Sequence, residues 1–350
     1  MNRILQIAAL IAGLFAASAV CAQDKVTVEI GYLPILPDAQ LFVALENGAF
    51  EKAGIKPDLV EFQEGPAMVQ ALLAGQLDAA YFGIGPAMVA SARGADIKVV
   101  ASNIVEQISF VAVGDLAGFA TGGVEKQTFS DFAAKQGRKA RISTFPTGSV
   151  PDTVLKYWLT KQLGASVDDI EIIHQGAAQV QQALLTGAVD GAAILEPAVS
   201  LALSRDADAN VLASGSQMFP GQPGAVLAVR GSLIKEHPEV VEAMVAAQRD
   251  ATEALRDKAP GAAEAVGKYV GGGRLPLEVV RQALDRSRQS FVADPNKIVE
   301  GTVAMRDFQK AEGTLREDVD VEKLIDTSFY DRLSPKDGQG APAKPEAVAQ

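Results

Sequence analysis

The chain has 350 residues, with 32 Lys and Arg against 43 Asp and Glu for a formal net charge of −11, and it carries two histidines and a single cysteine. That acidic balance disfavours nucleic acid and anionic membrane surfaces as partners, since neither is attracted to it electrostatically. With His174, His237 and one Cys as the only soft ligands, no zinc or copper site of the usual type is expected, and no motif asks for a cofactor.

At the amino terminus Arg3 supplies a positive charge, Ile4 to Val20 an apolar run, and Val20-Cys21-Ala22 a small-residue cleavage site. This is the layout of an export signal removed after Ala22. Acylation at Cys21 is the weaker alternative, because Ser18-Ala19-Val20 lacks the Leu and the small residues that normally lead into a lipidated cysteine. Cleavage removes the only cysteine and takes the formal charge to −12. The remaining chain, over 300 residues long, buries enough apolar surface to fold without disulfides.

Lys25 to Gly31 alternates apolar and polar residues as a strand, Pro34 to Asp38 is turn-rich, and Ala39 to Lys52 carries apolar residues at helical spacing. The alternation continues with strand Asp58 to Phe62, helix Ala67 to Ala74, strand Ala79 to Phe82, helix Ala87 to Arg93 and strand Ile97 to Ala101. A second series starts afresh: strand Ala140 to Thr144, helix Val150 to Leu163, strand Ile170 to His174, helix Ala178 to Leu185, strand Gly191 to Leu195 and helix Pro197 to Leu203. Such alternation predicts an α/β fold with two mostly parallel sheets covered by helices. Trp158 falls on the apolar face of its helix and is expected in the core. Pro238 to Leu333 is helical in pattern, and the Pro/Ala/Gly-rich Ser334 to Gln350 is expected to be disordered.

The two series share a phrase. Leu72-Leu73-Ala74-Gly75-Gln76-Leu77-Asp78 recurs, 112 residues on, as Leu184-Leu185-Thr186-Gly187-Ala188-Val189-Asp190. Each copy reads as a helix end, its glycine cap and an aspartate opening the next strand, once per lobe. Ile108 to Val113 and Ala225 to Val229 are β-like runs placed to carry the chain from one lobe to the other and back, which makes a hinge. The expected organisation is a signal at 1–22, a first lobe from 23–108 and 230–333, a second from 109–229, and the tail from 334.

Leu41-x-x-Ala44-x-x-x-Gly48-x-Phe50-x-x-x-Gly54-Ile55, the two LLxGxxD units, Glu196-Pro197 and His237-Pro238-Glu239-Val240-Val241 together resemble the periplasmic substrate-binding proteins of ABC importers, in the nitrate/sulfonate/taurine group that includes thiamine-pyrimidine-precursor binders. The resemblance spans nearly the whole mature chain. It implies a two-lobed, type II-like, hinge-bending periplasmic protein that captures a small organic solute and delivers it to a membrane permease and its ATPase, as a monomer and without catalysis.

Ligands of open α/β sheets bind beyond the carboxyl ends of the strands, where helix N-termini present unpaired N–H groups. That rule selects Pro37, Asp38 and Gln40 after the first strand, Gly83, Ile84 and Gly85 after Phe82, Thr144, Thr147, Gly148 and Ser149 in the second series, and Glu196 after Leu195. Ser149-x-x-Asp152 also reads as a capping box, and Glu196 as a solvated helix-start carboxylate. Neither Arg141 nor Arg93 is placed as an anion clamp. A small-metabolite enzyme or a ligand sensor on the same fold remains the alternative, although no Ser-His-Asp arrangement, Walker loop or GxGxxG supports chemistry.

Overall fold

The computed structural model describes residues 25–333; the expected export signal and the Pro/Ala/Gly-rich tail lie outside the described residues. The strands are β1 (Val26–Tyr32), β2 (Ile55–Glu61), β3 (Ala79–Gly83), β4 (Ile97–Ser102), β5 (Ser109–Ala112), β6 (Ala140–Thr144), β7 (Ile170–His174), β8 (Gly191–Ile194), β9 (Asn210–Ala213) and β10 (Ala225–Arg230). They form two five-stranded sheets with the same plan, ordered β2-β1-β3-β10-β4 and β7-β6-β8-β5-β9. In the first, β1 runs parallel to β2 and β3 while β10 is antiparallel to β3 and β4. In the second, β6 runs parallel to β7 and β8 while β5 is antiparallel to β8 and β9. The two α/β series expected from the alternation are therefore two similarly built lobes.

The crossings differ from the sequence reading at both runs, since Ile108 to Val113 also lies largely inside a sheet, as β5 of the second, and the chain crosses ahead of it. The run Ala225 to Val229 lies inside the first sheet as β10, so the return boundary falls before Ala225 and not after Val229. An apolar strand buried on both faces reads the same from sequence whether it crosses or pairs. The chain passes between lobes at Asn103–Ile108 and Ser214–Gly224, and these two segments bond to each other. Glu106 N–H donates to Gln222 O at 2.8 Å, Gly224 N–H to Ile104 O at 2.9 Å, and Gly221 N–H to the Glu106 carboxylate at 2.7 Å.

The repeated phrase has one structural job in both lobes. Helices Gly65–Leu73 and Ala177–Leu185 end just ahead of Gly75 (φ 72°) and Gly187 (φ 65°), left-handed positions where a Cβ is unfavourable. Asp78 then takes the N–H of Glu29 on its carboxylate (3.1 Å) and gives its own N–H to Glu29 O (2.9 Å). Asp190 does the same to Arg141, at 2.7 and 2.8 Å. Each aspartate thus pins the second strand of its sheet, β1 or β6, and is itself met by an arginine, Arg230 at 3.8 Å from Asp78 and Arg138 at 2.6 Å from Asp190.

Burial follows the sheets. One apolar cluster fills the outer side of the first sheet with helices Ala39–Glu46 and Pro238–Arg256. The other runs continuously from the opposite side of that sheet through the second lobe, where Trp158 packs on Phe110 with ring centroids 4.9 Å apart. The carboxy-terminal helices tie the lobes together: Leu277–Ser287 packs on Ala198–Arg205, and Val299–Ala311 packs on both Ile84–Ala92 and Val150–Tyr157.

Candidate functional site: the cleft between the lobes

A cleft of about 240 Å³ opens between the two sheets, at the carboxyl ends of their parallel strands. From the first lobe come Pro34 and Ile35 after β1, and Glu61 and Gln63 at the end of β2. From the second come Phe145 after β6, Ala177, Ala178 and Gln181 in the helix after β7, and Leu195, Glu196 and Pro197 after β8. The segment Gly271, Gly272 and Arg274 closes one side. The cleft lies on the side of the sheets to which the strand-end rule points, but of the residues selected by that rule only Glu196 lines it, and half of its walls come from segments that were not selected.

Glu196 is the expected residue that does line it. The residue is 6 % exposed, and both carboxylate oxygens are taken by Ser200: one accepts the backbone N–H at 2.9 Å, the other the hydroxyl at 3.0 Å. Arg286 stands 3.9 Å away. Burial pushes the Glu196 carboxyl above its ordinary range, against the pull of the two Ser200 bonds and Arg286. The carboxylate therefore caps helix Ala198–Arg205. Glu196→Gln is expected to cost about 1–2 kcal/mol of stability, because one amide hydrogen would oppose a Ser200 donor. Chemical denaturation checks it, and a wild-type midpoint would mean that Ser200 re-pairs.

The other expected residues are placed elsewhere. Pro37, Asp38 and Gln40 lie beneath the first loop. Asp38 accepts the Leu33 N–H at 2.9 Å with its carboxyl held well above the ordinary range by burial. Gln40 donates to Asn103 O at 2.7 Å, and Asn103 donates to Pro37 O at 3.1 Å. They fasten the first helix to the start of the hinge. Thr144 is buried with its hydroxyl on Ala193 O at 3.1 Å.

Gly83, Ile84 and Gly85 lie at the seam between the lobes, opposite Gly148 and Val150. Ser149 caps its helix by accepting the Asp152 N–H at 3.4 Å. The reciprocal half of the capping box is displaced by one residue, since Asp152 accepts from Gly148 N–H at 3.0 Å. Thr147 is exposed, 3.5 Å from His174 Nε2.

Three features of the cleft were not selected from the sequence. Glu61, at the end of β2, receives Gln63 Nε2 at 2.9 Å and the Tyr32 hydroxyl at 3.3 Å. Its discovery needed only the strand-end rule applied to β2 as well. The first turn of helix Ala177–Leu185 faces the cleft, and Ala177 N–H reaches across to Gln63 O at 3.3 Å. Arg274 follows the run Gly271-Gly272-Gly273, whose three residues have φ of 61°, 66° and 70°. The triple glycine was the only local signal. Among the described residues no group of His, Cys, Asp and Glu is arranged to hold a metal, and no helix is long and apolar enough to cross a membrane.

Two α/β lobes of like topology, hinged by two bonded segments and facing one another across a cleft at their strand ends, have the architecture of two-lobed periplasmic binding proteins. The fold superposes on the alkanesulfonate-binding protein SsuA of Xanthomonas axonopodis pv. citri bound to MOPS, with a TM-score of 0.70 at 22% identity over 88% of this chain and 100% of that one. It also superposes on the nitrate-binding protein NrtA of Synechocystis, with a TM-score of 0.72 at 14% identity over 88% of each. In sequence, the model of the NMT1-like family matches residues 21–270, and the chain belongs to that family. It is 30% identical over 237 residues to a putative binding protein of Brucella suis, covering 67% of this chain and 68% of that protein. Over 304 residues it is 27% identical to a putative aliphatic sulfonates-binding protein of Bacillus subtilis, covering 86% of each.

Proposed function

We propose that this protein captures a small organic solute, a sulfonate- or taurine-like compound or a nitrogen heterocycle, between its lobes and delivers it to the permease of an ABC import system. The observation that carries this reading is the cleft itself. It is small, lies where strand ends and a helix N-terminus converge, and takes its walls from both lobes, so a bound solute joins surfaces that the hinge would otherwise let part. The sulfonate and nitrate binders among its relatives and structural neighbours support the class. The protein works as an exported monomer in the periplasm, its signal removed after Ala22.

Catalysis is disfavoured by the geometry of an arrangement among the described residues that resembles a triad. Thr147 Oγ1 and Asp152 Oδ1 both approach the same ring nitrogen of His174, Nε2, at 3.5 and 2.8 Å. A relay requires the nucleophile and the carboxylate on opposite ring nitrogens. His174 here ties β7 to the buried Asp152 and has no route to pass a proton between them.

A thermal-shift screen of sulfonates, aminosulfonates, nitrate, bicarbonate, pyrimidines and amino acids tests the proposal. A true solute at a hundred times its Kd is expected to add about 2.7 kcal/mol of stability. No stabilisation by any small solute would overturn it.

A further inference from the structure

The charges of the cleft are not evenly satisfied. Glu196 is met by Ser200 and Arg286, which leaves two charged groups on the cleft wall without an ionic partner among the described residues: Glu61, whose neighbours are the neutral Gln63 and Tyr32, and Arg274, which makes no ion pair or hydrogen bond. Both belong to the first lobe's side of the cleft, and both side chains reach solvent, so neither charge has been removed by burial.

Arg274 does not hang on a loose loop. Gly271 N–H donates to Pro34 O at 3.1 Å, and Gly272 N–H to Tyr269 O at 3.1 Å. Tyr269 in turn stacks on Phe42 with ring centroids 4.6 Å apart and planes 3° from parallel. A Cβ at Gly271 would meet Leu275 at 2.7 Å and one at Gly273 would meet Lys268 O at 2.7 Å, so the strap is folded tightly on itself. The backbone that carries Arg274 is thereby anchored at the rim, and its guanidinium, without a partner among the described residues, is open to a ligand.

We propose that Glu61 and Arg274 select a small solute carrying both a cationic and an anionic group, with Arg274 the specificity-determining residue for the anionic end. A carboxylate or sulfonate matches the planar donor fork of Arg274, and an ammonium matches the open lone pairs of Glu61. A solute with one charge leaves the other group unanswered inside a closing cleft. The selectivity of such a site comes as much from that penalty as from the pairing. This inference rests on the solute-capture reading above and adds the charge type of what is captured.

The test is isothermal titration of the full mature chain with taurine, β-alanine, glycine betaine and the common amino acids, each against single-charge analogues such as ethanesulfonate and ethanolamine. At least one two-charge compound is expected to bind tenfold or more tightly than its single-charge analogues. Arg274→Gln is expected to erase the advantage over the cationic analogue and Glu61→Gln the advantage over the anionic one, each with an unchanged melting temperature because the side chains are exposed.

Tight binding of a simple anion or an uncharged heterocycle, indifferent to both substitutions, would overturn the inference and leave solute capture standing. So would two variants that lose all compounds alike. Failure of every compound here and in the wider screen would remove the capture reading, and this inference with it.

Discussion

Gly85→Val is expected to lower solute affinity by one to two orders of magnitude while the protein still folds. A Cβ at this position would stand 2.6 Å from the carbonyl oxygen of Gly148 and 3.0 Å from Gln309 Nε2. Neither neighbour yields cheaply. Gly148 belongs to the loop pinned by Asp152, and Gln309 is buried with its amide on Gly148 O at 3.1 Å and on the Thr153 hydroxyl at 2.9 Å. The clash is relieved by moving helix Ile84–Ala92 away from the 147–150 loop, and that means prising the lobes apart at their seam.

Overpacking of this kind costs about 1–3 kcal/mol, and where closure supplies binding energy the same amount appears in the affinity. Gly118→Ala is the control, since its Cβ meets nothing within 4 Å. Titration calorimetry reads both. Wild-type affinity in Gly85→Val would mean that the seam takes no part in closure.

Asp190→Asn is expected to cost about 2 kcal/mol and to change the acid sensitivity of the fold. Asp190 is 7 % exposed and serves three donors, the Arg141 N–H at 2.7 Å and two Arg138 nitrogens at 2.6 and 2.7 Å. The bond to the buried strand N–H carries most of the effect, because Arg138 is largely solvated and its pairing is screened. Burial tends to raise the Asp190 carboxyl. Arg138 and the Arg141 N–H outweigh it and leave the group below its ordinary range.

An acid with a depressed folded pKa contributes stability that is present above its unfolded value of about 3.9 and lost as pH falls through the folded value. Asp38 and Glu196, both raised by burial, act in the opposite sense: their ionisation penalises the fold at neutral pH and is relieved on acidification. The difference in unfolding free energy between wild type and Asp190→Asn should therefore be nearly constant from pH 7 to pH 5 and shrink below pH 4. A gap that persists unchanged at pH 2.5 would show that the carboxylate charge is not what holds Arg141 in place.

The two-lobe plan was legible because it is written in local pattern. Alternation of short apolar runs with helical periodicity gives the sheets, and the LLxGxxD units give their equivalence, down to the aspartate that pins Glu29 in one lobe and Arg141 in the other. What escaped was the choice of face inside each loop. After β1 the chain crosses the rim at Pro34 and Ile35 before turning inward. Gln40 then meets Asn103 and Thr252, partners 63 and 212 residues away that no local spacing announces.

Gly83 and Gly85, selected as ligand-binding residues, do meet a close approach, but what approaches is the other lobe. β10 was misplaced for a related reason, since an apolar run buried between two strands carries no mark of which sheet owns it. Arg274 lies outside both α/β series, on a strap whose position depends on Pro34, Tyr269 and Phe42 together.

The most direct measurement is a crystal structure of the mature protein with the solute identified by the stability screen. The expected result is density in the cleft between Glu61 and Arg274 on one side and Phe145, Ala178 and Glu196 on the other, with both lobes in contact with the ligand. Density anywhere else, such as the surface groove lined by Arg138, Arg141 and Arg205 at the opposite end of the second sheet, would contradict solute capture between the lobes.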